Sequence, residues 1–201
     1  MLAAAWILYG VLHSVLAGQG FKTRMEVMLK RHYRFYRIAY VIFAFIGLAA
    51  ITWWQVTMPS PRLFSPGTIL LVAGWTCCLS GGLLMMLCIK KYFISLSGLR
   101  SLLHEEDGGE LMISGIHRYV RHPLYLGTFA FIWGLFLIIP TLSFFIANLI
   151  ITVYTLIGMQ LEEKKLVHVF GDTYIRYMKQ VPALIPGGRV KSKEQKAKSN
   201  K

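Results

Sequence analysis

The sequence predicts an all-α, polytopic membrane protein with about five transmembrane helices. Of its 201 residues, 55% are hydrophobic and only 15% are charged, which is far more apolar than a soluble domain of this length. Apolar stretches long enough to cross a bilayer recur along the chain, and the basic residues gather in alternate loops between them. Lipid is therefore the predicted solvent for most of the chain.

Each predicted span is an apolar stretch of about 20 residues, the length that crosses the ~30 Å of hydrocarbon in a bilayer. The first three spans lie near residues 1–19, 37–58 and 67–89. The fourth and fifth form a predicted helical hairpin over residues 123–161, a segment that contains no Lys, Arg, Asp or Glu and is interrupted near Pro140. The hairpin is followed by a predicted C-terminal helix that leaves the membrane.

Small residues lie along one face of the first arm of this hairpin, at Gly127, Ala130 and Gly134. In lipid, where no hydrophobic effect draws helices together, small residues allow close backbone approach. We therefore expect this face to pack tightly against a neighbouring helix.

The charge distribution predicts the orientation of the chain. Of 22 Lys and Arg residues, only Arg62 falls between the second and third predicted spans, and the other basic residues fall on the opposite side of the membrane with all nine acidic residues. The positive-inside rule makes that charged side cytoplasmic, with the N-terminus outside and the C-terminus inside a bacterial inner membrane. The net charge of +13 is accordingly attributed to anionic membrane lipid and not to nucleic acid.

The first of two polar clusters precedes the hairpin, from Ser114 to Tyr125. Pro123 suits the first turn of a helix, and His122 and Tyr125 would share one helix face at a spacing of three residues. One alternative is a plain interfacial helix start in which Arg118 and its neighbours extend to the membrane surface.

The second polar cluster follows the hairpin, from Leu161 to Tyr177, and begins with Glu162 and Glu163. The alternative here is a solvated helix that carries a Glu162 to Lys165 ion pair. Folding of the hairpin brings the two clusters together, so an Arg-His pair would face a Glu pair. That arrangement suits a zwitterionic or cationic ligand.

The clusters carry a set of motifs in a defined order: Arg-His-Pro-Leu-Tyr ending at Tyr125, then Glu-Glu, Phe170-Gly171, Tyr174, Tyr177 and Val181-Pro182. Together these motifs resemble the isoprenylcysteine carboxyl methyltransferase family, an integral membrane superfamily that includes phospholipid and small-thiol methyltransferases. The resemblance covers residues 95–187. The stretches from Tyr9 to Ser14 and over residues 97–100 are more similar to the bacterial thiol branch.

The resemblance implies one membrane-embedded methyltransferase domain over residues 1–188. The tail over residues 189–201 is lysine-rich and has no apolar period, so it is predicted to be disordered. The resemblance implies S-adenosylmethionine as cofactor. It also implies a small or lipophilic substrate, whose thiol or carboxylate group accepts the methyl group at the cytoplasmic membrane face. The cofactor-binding positions that it implies are Leu111, Met112, His117, His122, Pro123, Leu124, Tyr125 and Glu162.

We assign catalytic roles to Arg121 and Glu162, because a pocket that buries a zwitterionic cofactor must pair its charges. Arg121 or His122 would pair with the cofactor carboxylate, and Glu162 with its cationic end. The predicted substrate contacts are Glu163, Tyr174, Tyr177 and His13. For His13, a hydrogen bond to a neighbouring helix is the alternative.

One departure from the family concerns Gly158, which stands where prenylcysteine enzymes place a substrate-contacting arginine. The second functional hypothesis is a non-enzymatic membrane accessory or assembly protein that retains the methyltransferase-like fold. A transporter is disfavoured, because no predicted span carries the charged side chains that solute coupling requires. The cysteines Cys77, Cys78 and Cys88 lie within one apolar stretch and show no metal-ligand spacing.

Overall fold

A computed structural model describes residues 1–96 and 111–185, and these residues are all-helical apart from short turns. Seven α-helices lie within them: α1 (Leu2–Ala17), α2 (Gln19–Leu29), α3 (Tyr33–Thr57), α4 (Thr68–Leu96), α5 (Pro123–Ile138), α6 (Leu142–Phe170) and α7 (Asp172–Gln180). The all-α prediction is confirmed for this part of the chain. The predicted motif at residues 97–100 and the predicted tail at 189–201 lie outside the described residues.

Three helices are long and apolar enough to cross a membrane, namely α3 from Ile38 onward, α4 as far as Lys90, and α6. Helix α1 and the helical segment Gln19–Tyr36, which begins with α2, are bent by 59° relative to each other and count as a fourth candidate span if they are taken together. Helix α5 is apolar but has only 16 residues. By length and composition, the described residues therefore contain three to four candidate membrane spans.

Helices α4 and α5 pack against each other through glycines, in antiparallel orientation. Gly74 lies against Gly134, and Gly81 lies against Gly127. A Cβ atom added to Gly81 would lie 2.6 Å from the carbonyl oxygen of Gly127 and 3.0 Å from the Cβ of Ala130. The predicted close packing of the small-residue face is confirmed, and its partner is α4.

The loop between α3 and α4 contacts the turn between α5 and α6. The amide of Leu63 donates to the carbonyl of Pro140 at 2.7 Å, and the amide of Leu142 donates to the carbonyl of Pro61 at 3.0 Å. Both connections therefore lie at one end of the helix bundle, which we call the loop end.

The start of α5 and the segment after α7 meet at the opposite end of the bundle. The amide of Arg121 donates to the carbonyl of Pro182 at 2.9 Å, and that of His122 donates to the carbonyl of Ala183 at 3.0 Å. Both polar clusters lie at this end, which we call the cluster end.

Helix α1 completes the bundle by packing against α3 and α6. Near the loop end, Leu2 and Trp6 form a buried apolar cluster with Ile51 and Ala147. The indole of Trp6 donates a hydrogen bond of 2.9 Å to Oε1 of the Gln55 side chain on α3. This cluster fixes the position of α1 relative to the α5–α6 pair.

Candidate functional site

Arg121, in the first polar cluster, is bonded to Glu163 in the second. Its Nε and Nη2 atoms donate hydrogen bonds of 2.9 Å and 2.7 Å to the same carboxylate oxygen, Oε1. Its Nη1 atom donates to the backbone carbonyls of Met178 and Val181. The guanidinium group thus joins the start of α5, the end of α6 and the segment that follows α7.

His122 lies between the two glutamates. Its Nε2 atom is 3.0 Å from Oε1 of Glu163, and its Nδ1 atom is 3.7 Å from Oε2 of Glu162. The imidazole stacks on the ring of Tyr125, with 5.4 Å between ring centroids and 16° between planes. The prediction that His122 and Tyr125 share one helix face is confirmed.

Glu162 is the more accessible of the paired carboxylates, with 46% of its side chain exposed compared with 16% for Glu163. The hydroxyl of Tyr125 donates a hydrogen bond of 2.9 Å to Oε2 of Glu162. This bond fixes the carboxylate against the aromatic ring pair. A fixed, half-exposed carboxylate beside aromatic rings can bind a cationic group.

The segment from α6 to α7 closes the site from one side. Gly171 has a φ of +53°, a left-handed conformation that favours glycine, and it allows the sharp turn between the two helices. Beyond it, Tyr174, Tyr177 and Val181 form a buried cluster that packs against Leu111. The turn therefore brings the aromatic side chains of α7 back onto the first polar cluster.

Hydrogen bonds join α7 to the 3₁₀ turn that precedes α5. The hydroxyl of Tyr177 donates to the carbonyl of His117 at 2.6 Å. The Nδ1 atom of His117 lies 3.1 Å from the carbonyl oxygen of Arg121. His117 thus contributes its backbone and its ring to the order of this turn.

Tyr174 has the most deeply buried phenol of the site, with a relative exposure of 1%. Burial raises the pKa of Tyr174 to about 12, and the nearby negative charge of Glu163 adds to the shift. The phenol therefore stays protonated throughout the physiological range and can act only as a neutral hydroxyl.

A cavity of about 450 Å³ lies between the two clusters, and we call it the cluster cavity. This volume falls within the range of about 300–1,000 Å³ that is typical of small-molecule sites. Its walls combine apolar side chains with one accessible carboxylate, which suits a ligand with an apolar ring and a cationic group. The residues that line it are Cys88, Leu111, Met112, His117, Arg121, His122, Pro123, Leu124, Tyr125, Glu162, Leu166, Phe170, Tyr174 and Tyr177.

The structure brings all eight predicted cofactor-binding residues together in this cavity, with Arg121, Tyr174 and Tyr177. Glu163, a predicted substrate contact, is not among the lining residues and is bonded to Arg121 and His122. The structure differs from the prediction in the partner of Arg121. Arg121 was predicted to pair with the cofactor carboxylate and is bonded to Glu163, whereas Glu162 lines the cavity in which the cofactor was predicted to bind.

Sequence reasoning missed two lining residues, Cys88 and Leu166. Cys88 lies on α4, outside both clusters, and only the packing of α4 on α5 places it at the cavity. Leu166 lies one turn after Glu162 on α6, so helical spacing from the Glu pair could have identified it. Phe170 was noted as part of a motif without a role, and it also lines the cavity.

His13 lies elsewhere, within the bundle between α1, α3 and α6. Its Nδ1 atom is 3.0 Å from the hydroxyl of Tyr154, and its Nε2 atom is 2.8 Å from the hydroxyl of Tyr40. The expected hydrogen bonding of His13 to neighbouring helices is present. The structure does not bring His13 into the cluster cavity.

Comparison with known proteins gives a consistent set of relatives. Methanethiol S-methyltransferase 1 of Bradyrhizobium diazoefficiens is 29% identical over 194 residues, which cover 90% of this chain and 65% of the relative. Methanethiol S-methyltransferase of Crocosphaera subtropica is 31% identical over 194 residues, covering 89% of this chain and 71% of the relative. The chain thus spans roughly two thirds of the length of these relatives. No solved structure matches the chain.

A further relative matches a shorter part of the chain. Protein-S-isoprenylcysteine O-methyltransferase of Schizosaccharomyces pombe is 36% identical over 77 residues, which cover 38% of this chain and 33% of the relative. The resemblance that the motifs predicted is confirmed by these relatives. Because residues 69–173, more than half of the chain, match the phospholipid methyltransferase family, the protein belongs to that family of membrane methyltransferases.

Proposed function

We propose that this protein transfers a methyl group from S-adenosylmethionine to a small or lipophilic thiol at the cytoplasmic membrane face. The observation that carries the proposal is the cluster cavity, which both polar clusters line and into which Glu162 presents its carboxylate. The names of the similar proteins, methanethiol S-methyltransferases among them, support the reaction type.

The residues of the cluster cavity fit S-adenosylmethionine as a cofactor. Glu162 would pair with its cationic end, since Oε1 of this carboxylate has no hydrogen bond to a described residue. Leu111, Met112 and Leu124 offer an apolar wall for its adenine ring. When it is bound there, the cofactor would supply a methyl group activated by its sulfonium sulfur. A bond from this methyl group to the thiol sulfur would form as its bond to the sulfonium sulfur breaks, which leaves S-adenosylhomocysteine, and the thiol proton would pass to solvent.

The protein's own part in such a transfer is alignment and the exclusion of water. Tyr125 holds the carboxylate of Glu162 in place, and the aromatic side chains of α7 cover the site. The guanidinium group of Arg121 donates four hydrogen bonds within the protein. We therefore propose that Arg121 positions Glu163 and the chain after α7, and leaves Glu162 as the catalytic side chain.

The glycine at position 158 favours a thiol over a carboxylate as the methyl acceptor. A Cβ atom added to this residue would have no heavy atom within 4 Å, so no side chain of the described residues fills the space. Without a guanidinium group at that position, the carboxylate of a prenylcysteine would lack a charge partner. A thiol needs no such partner.

The proposed topology has five membrane spans, with the N-terminus outside and the C-terminus in the cytoplasm. It is supported by the course of α5, which runs antiparallel to both α4 and α6 and extends from the cluster end to the loop end. A helix of 16 residues is about 24 Å long, slightly less than the hydrocarbon thickness. Labelling single-cysteine variants Arg62→Cys and Lys179→Cys in whole cells with an impermeant maleimide tests this orientation, and only the first should react.

Calorimetry on the purified protein in detergent tests the proposed function. We expect S-adenosylmethionine and S-adenosylhomocysteine to bind the unmodified protein, and Glu162→Gln to weaken both. Methyl transfer to methanethiol, followed as dimethyl sulfide in the headspace, tests turnover. If neither cofactor form binds, the enzyme proposal is wrong. If the cofactor binds but no thiol, carboxylate or lipid amine is methylated, the non-enzymatic accessory role replaces it.

A further inference from the structure

A second cavity of about 390 Å³ lies inside the helix bundle, and we call it the bundle cavity. It is bounded by α1, α3, α5 and α6, with Met85 of α4 at its edge. No residue of the two polar clusters lines the bundle cavity. Most of its lining is apolar, so a lipophilic molecule is the kind of occupant that it suits.

Polar side chains nevertheless line the bundle cavity, among them His13, Gln55, Asn148 and Tyr154. Gln55 and Asn148 are buried, and only one side-chain amide atom of each makes a hydrogen bond to a described residue. Oε1 of Gln55 accepts from Trp6, and Nδ2 of Asn148 donates to the carbonyl of Ile132. The other amide atoms of these two side chains have no hydrogen bond within the described chain. A purely hydrocarbon occupant would leave them unsatisfied.

His13 and Tyr154 form a polar patch in the part of the bundle cavity that lies towards the cluster end. A neutral imidazole has one donor and one acceptor nitrogen. One of the two hydroxyls, of Tyr40 or of Tyr154, therefore donates a hydrogen bond to the His13 ring, and the other accepts one from it. The hydroxyl of Tyr154 is also 2.9 Å from Oγ of Ser14. The hydroxyl of Tyr154 is thus held in place and presented to the cavity, where it can make a hydrogen bond to a sulfhydryl group.

The two cavities follow each other along the same three helices. On α4, Met85 lines the bundle cavity and Cys88 lines the cluster cavity. On α5 the pair is Thr128 and Leu124, which are one helical turn apart. On α6, Thr155 and Glu162 are about two turns apart. The linings of the two cavities are therefore no more than about two helical turns apart on each of these helices.

We propose that the bundle cavity is the acceptor site and that it takes thiols with an alkyl or aryl group of several carbons, with the sulfhydryl end beside Tyr154. This inference rests on the proposed function, because it assigns the acceptor of the same reaction. The volume of the bundle cavity is the reason for proposing an alkyl or aryl group of several carbons. A cavity in the range of about 300–1,000 Å³ holds drug-sized ligands, and methanethiol would fill only a small part of it.

The length of the cavity agrees with an elongated occupant. On α1 the lining extends from Trp6 to His13, and on α3 it extends from Leu48 to Gln55. Seven residues of α-helix rise about 10 Å. An extended chain of several carbons fits this distance, and a water molecule bound beyond its far end would satisfy the free amide atoms of Gln55 and Asn148.

The test uses unreactive thioethers of increasing length, namely methyl ethyl, methyl butyl and methyl octyl sulfide. Equilibrium dialysis against the purified protein in detergent, with protein-free detergent as reference, gives their affinities without any turnover. Thr128→Phe would occupy part of the cavity. We expect its loss of affinity to grow with chain length and to reach about tenfold for the longer sulfides, since each methylene excluded from an apolar site costs at most about fourfold.

Thr76→Phe is the matched control. Thr76 lies on the exposed side of α4, and its hydroxyl donates to the carbonyl four residues earlier, as that of Thr128 does. This variant should bind all sulfides as the unmodified protein does. Ile151→Ala, which enlarges the cavity, should shift the preference towards longer chains and serves as the second variant if Thr128→Phe does not fold.

Activity then separates this inference from the proposed function. We expect the specificity constant kcat/KM for butanethiol to exceed that for methanethiol and to fall in Thr128→Phe. If methanethiol is methylated but neither variant changes the binding of any sulfide, the acceptor-site inference is wrong and the proposed function stands. If the variants alter only the retention of co-purified phospholipid, the cavity is a lipid site and the inference is overturned. If no thiol is methylated, the proposed function fails by its own test.

Discussion

Glu163 accepts hydrogen bonds from Nε and Nη2 of Arg121 through one oxygen atom, at 2.9 Å and 2.7 Å. His122 lies 3.0 Å from the same oxygen. Adjacent glutamates thus have different surroundings: Glu163 is held inside the protein by a cation, whereas Glu162 is half exposed at the cavity. This division underlies the first two predictions.

Glu163→Gln should destabilise the fold, because it leaves the guanidinium of Arg121 buried without its charge partner. Breaking a buried ion pair costs about 3–5 kcal/mol, and partial exposure of Glu163 reduces our expectation to about 2–4 kcal/mol. Glu162→Gln is the matched control and should change the free energy of unfolding by less than about 1 kcal/mol. Thermal unfolding in detergent, followed by tryptophan fluorescence, measures both. Equal effects of the two changes would contradict this assignment of roles.

Tyr125→Phe should weaken cofactor binding without unfolding the protein. The phenol donates a hydrogen bond of 2.9 Å to Oε2 of Glu162, and a hydrogen bond to a charged group is worth about 1.5–3 kcal/mol. Because Glu162 is half exposed, we expect the lower end of that range, about a tenfold loss of affinity for S-adenosylhomocysteine by calorimetry. Tyr119→Phe, at a residue that is 68% exposed, should leave the affinity unchanged.

The membrane character and the predicted site residues could be derived from the sequence because both depend on local pattern. Apolar stretches of sufficient length indicated the helices, and a break at Pro140 indicated the hairpin that unites the clusters. Arg121 and Glu163 were both identified, but their pairing was not. Neighbouring residues on a helix point about 100° apart, so which glutamate faces Arg121 depends on the rotation of α6 about its axis.

The bundle cavity could not be derived from sequence. Its walls come from five helices, and no pattern within one helix shows that the helices leave space between them. His13 stood out as a polar residue within an apolar span, but its partners Tyr40 and Tyr154 are 27 and 141 residues away in the chain. Their meeting is a property of the tertiary packing.

The glycine contacts of α4 and α5 lead to a third prediction. Gly81→Ala should impair folding, because the new Cβ would lie 2.6 Å from the backbone oxygen of Gly127, and a backbone cannot move aside cheaply. Gly82→Ala, one residue later, would meet only the ring of Phe131 at 3.8 Å. We expect that change to be neutral or to stabilise the helix by up to about 1 kcal/mol. The yield and thermal stability of the two variants in detergent distinguish these outcomes.

The buried phenol of Tyr174 gives the fold a specific sensitivity to alkaline pH. Its pKa is raised from 10.0 to about 12 in the folded protein, first by burial and then by the charge of Glu163. The folded state therefore keeps its proton at a pH where the unfolded state has lost it, and the stabilisation is fully present below about pH 10. It should be lost as the pH rises from about 10 towards 12.

Lysine side chains also titrate in this range, so the measurement must be differential. Tyr174→Phe has no phenol to ionise, and its free energy of unfolding should fall less steeply between about pH 9.5 and pH 11.5 than that of the unmodified protein. Tyr119→Phe removes an exposed phenol and should keep the unmodified slope. Parallel curves for Tyr174→Phe and the unmodified protein would mean that the phenol of Tyr174 ionises equally well in both states. In that case α7 would not be packed over the first polar cluster in solution as it is in the structure.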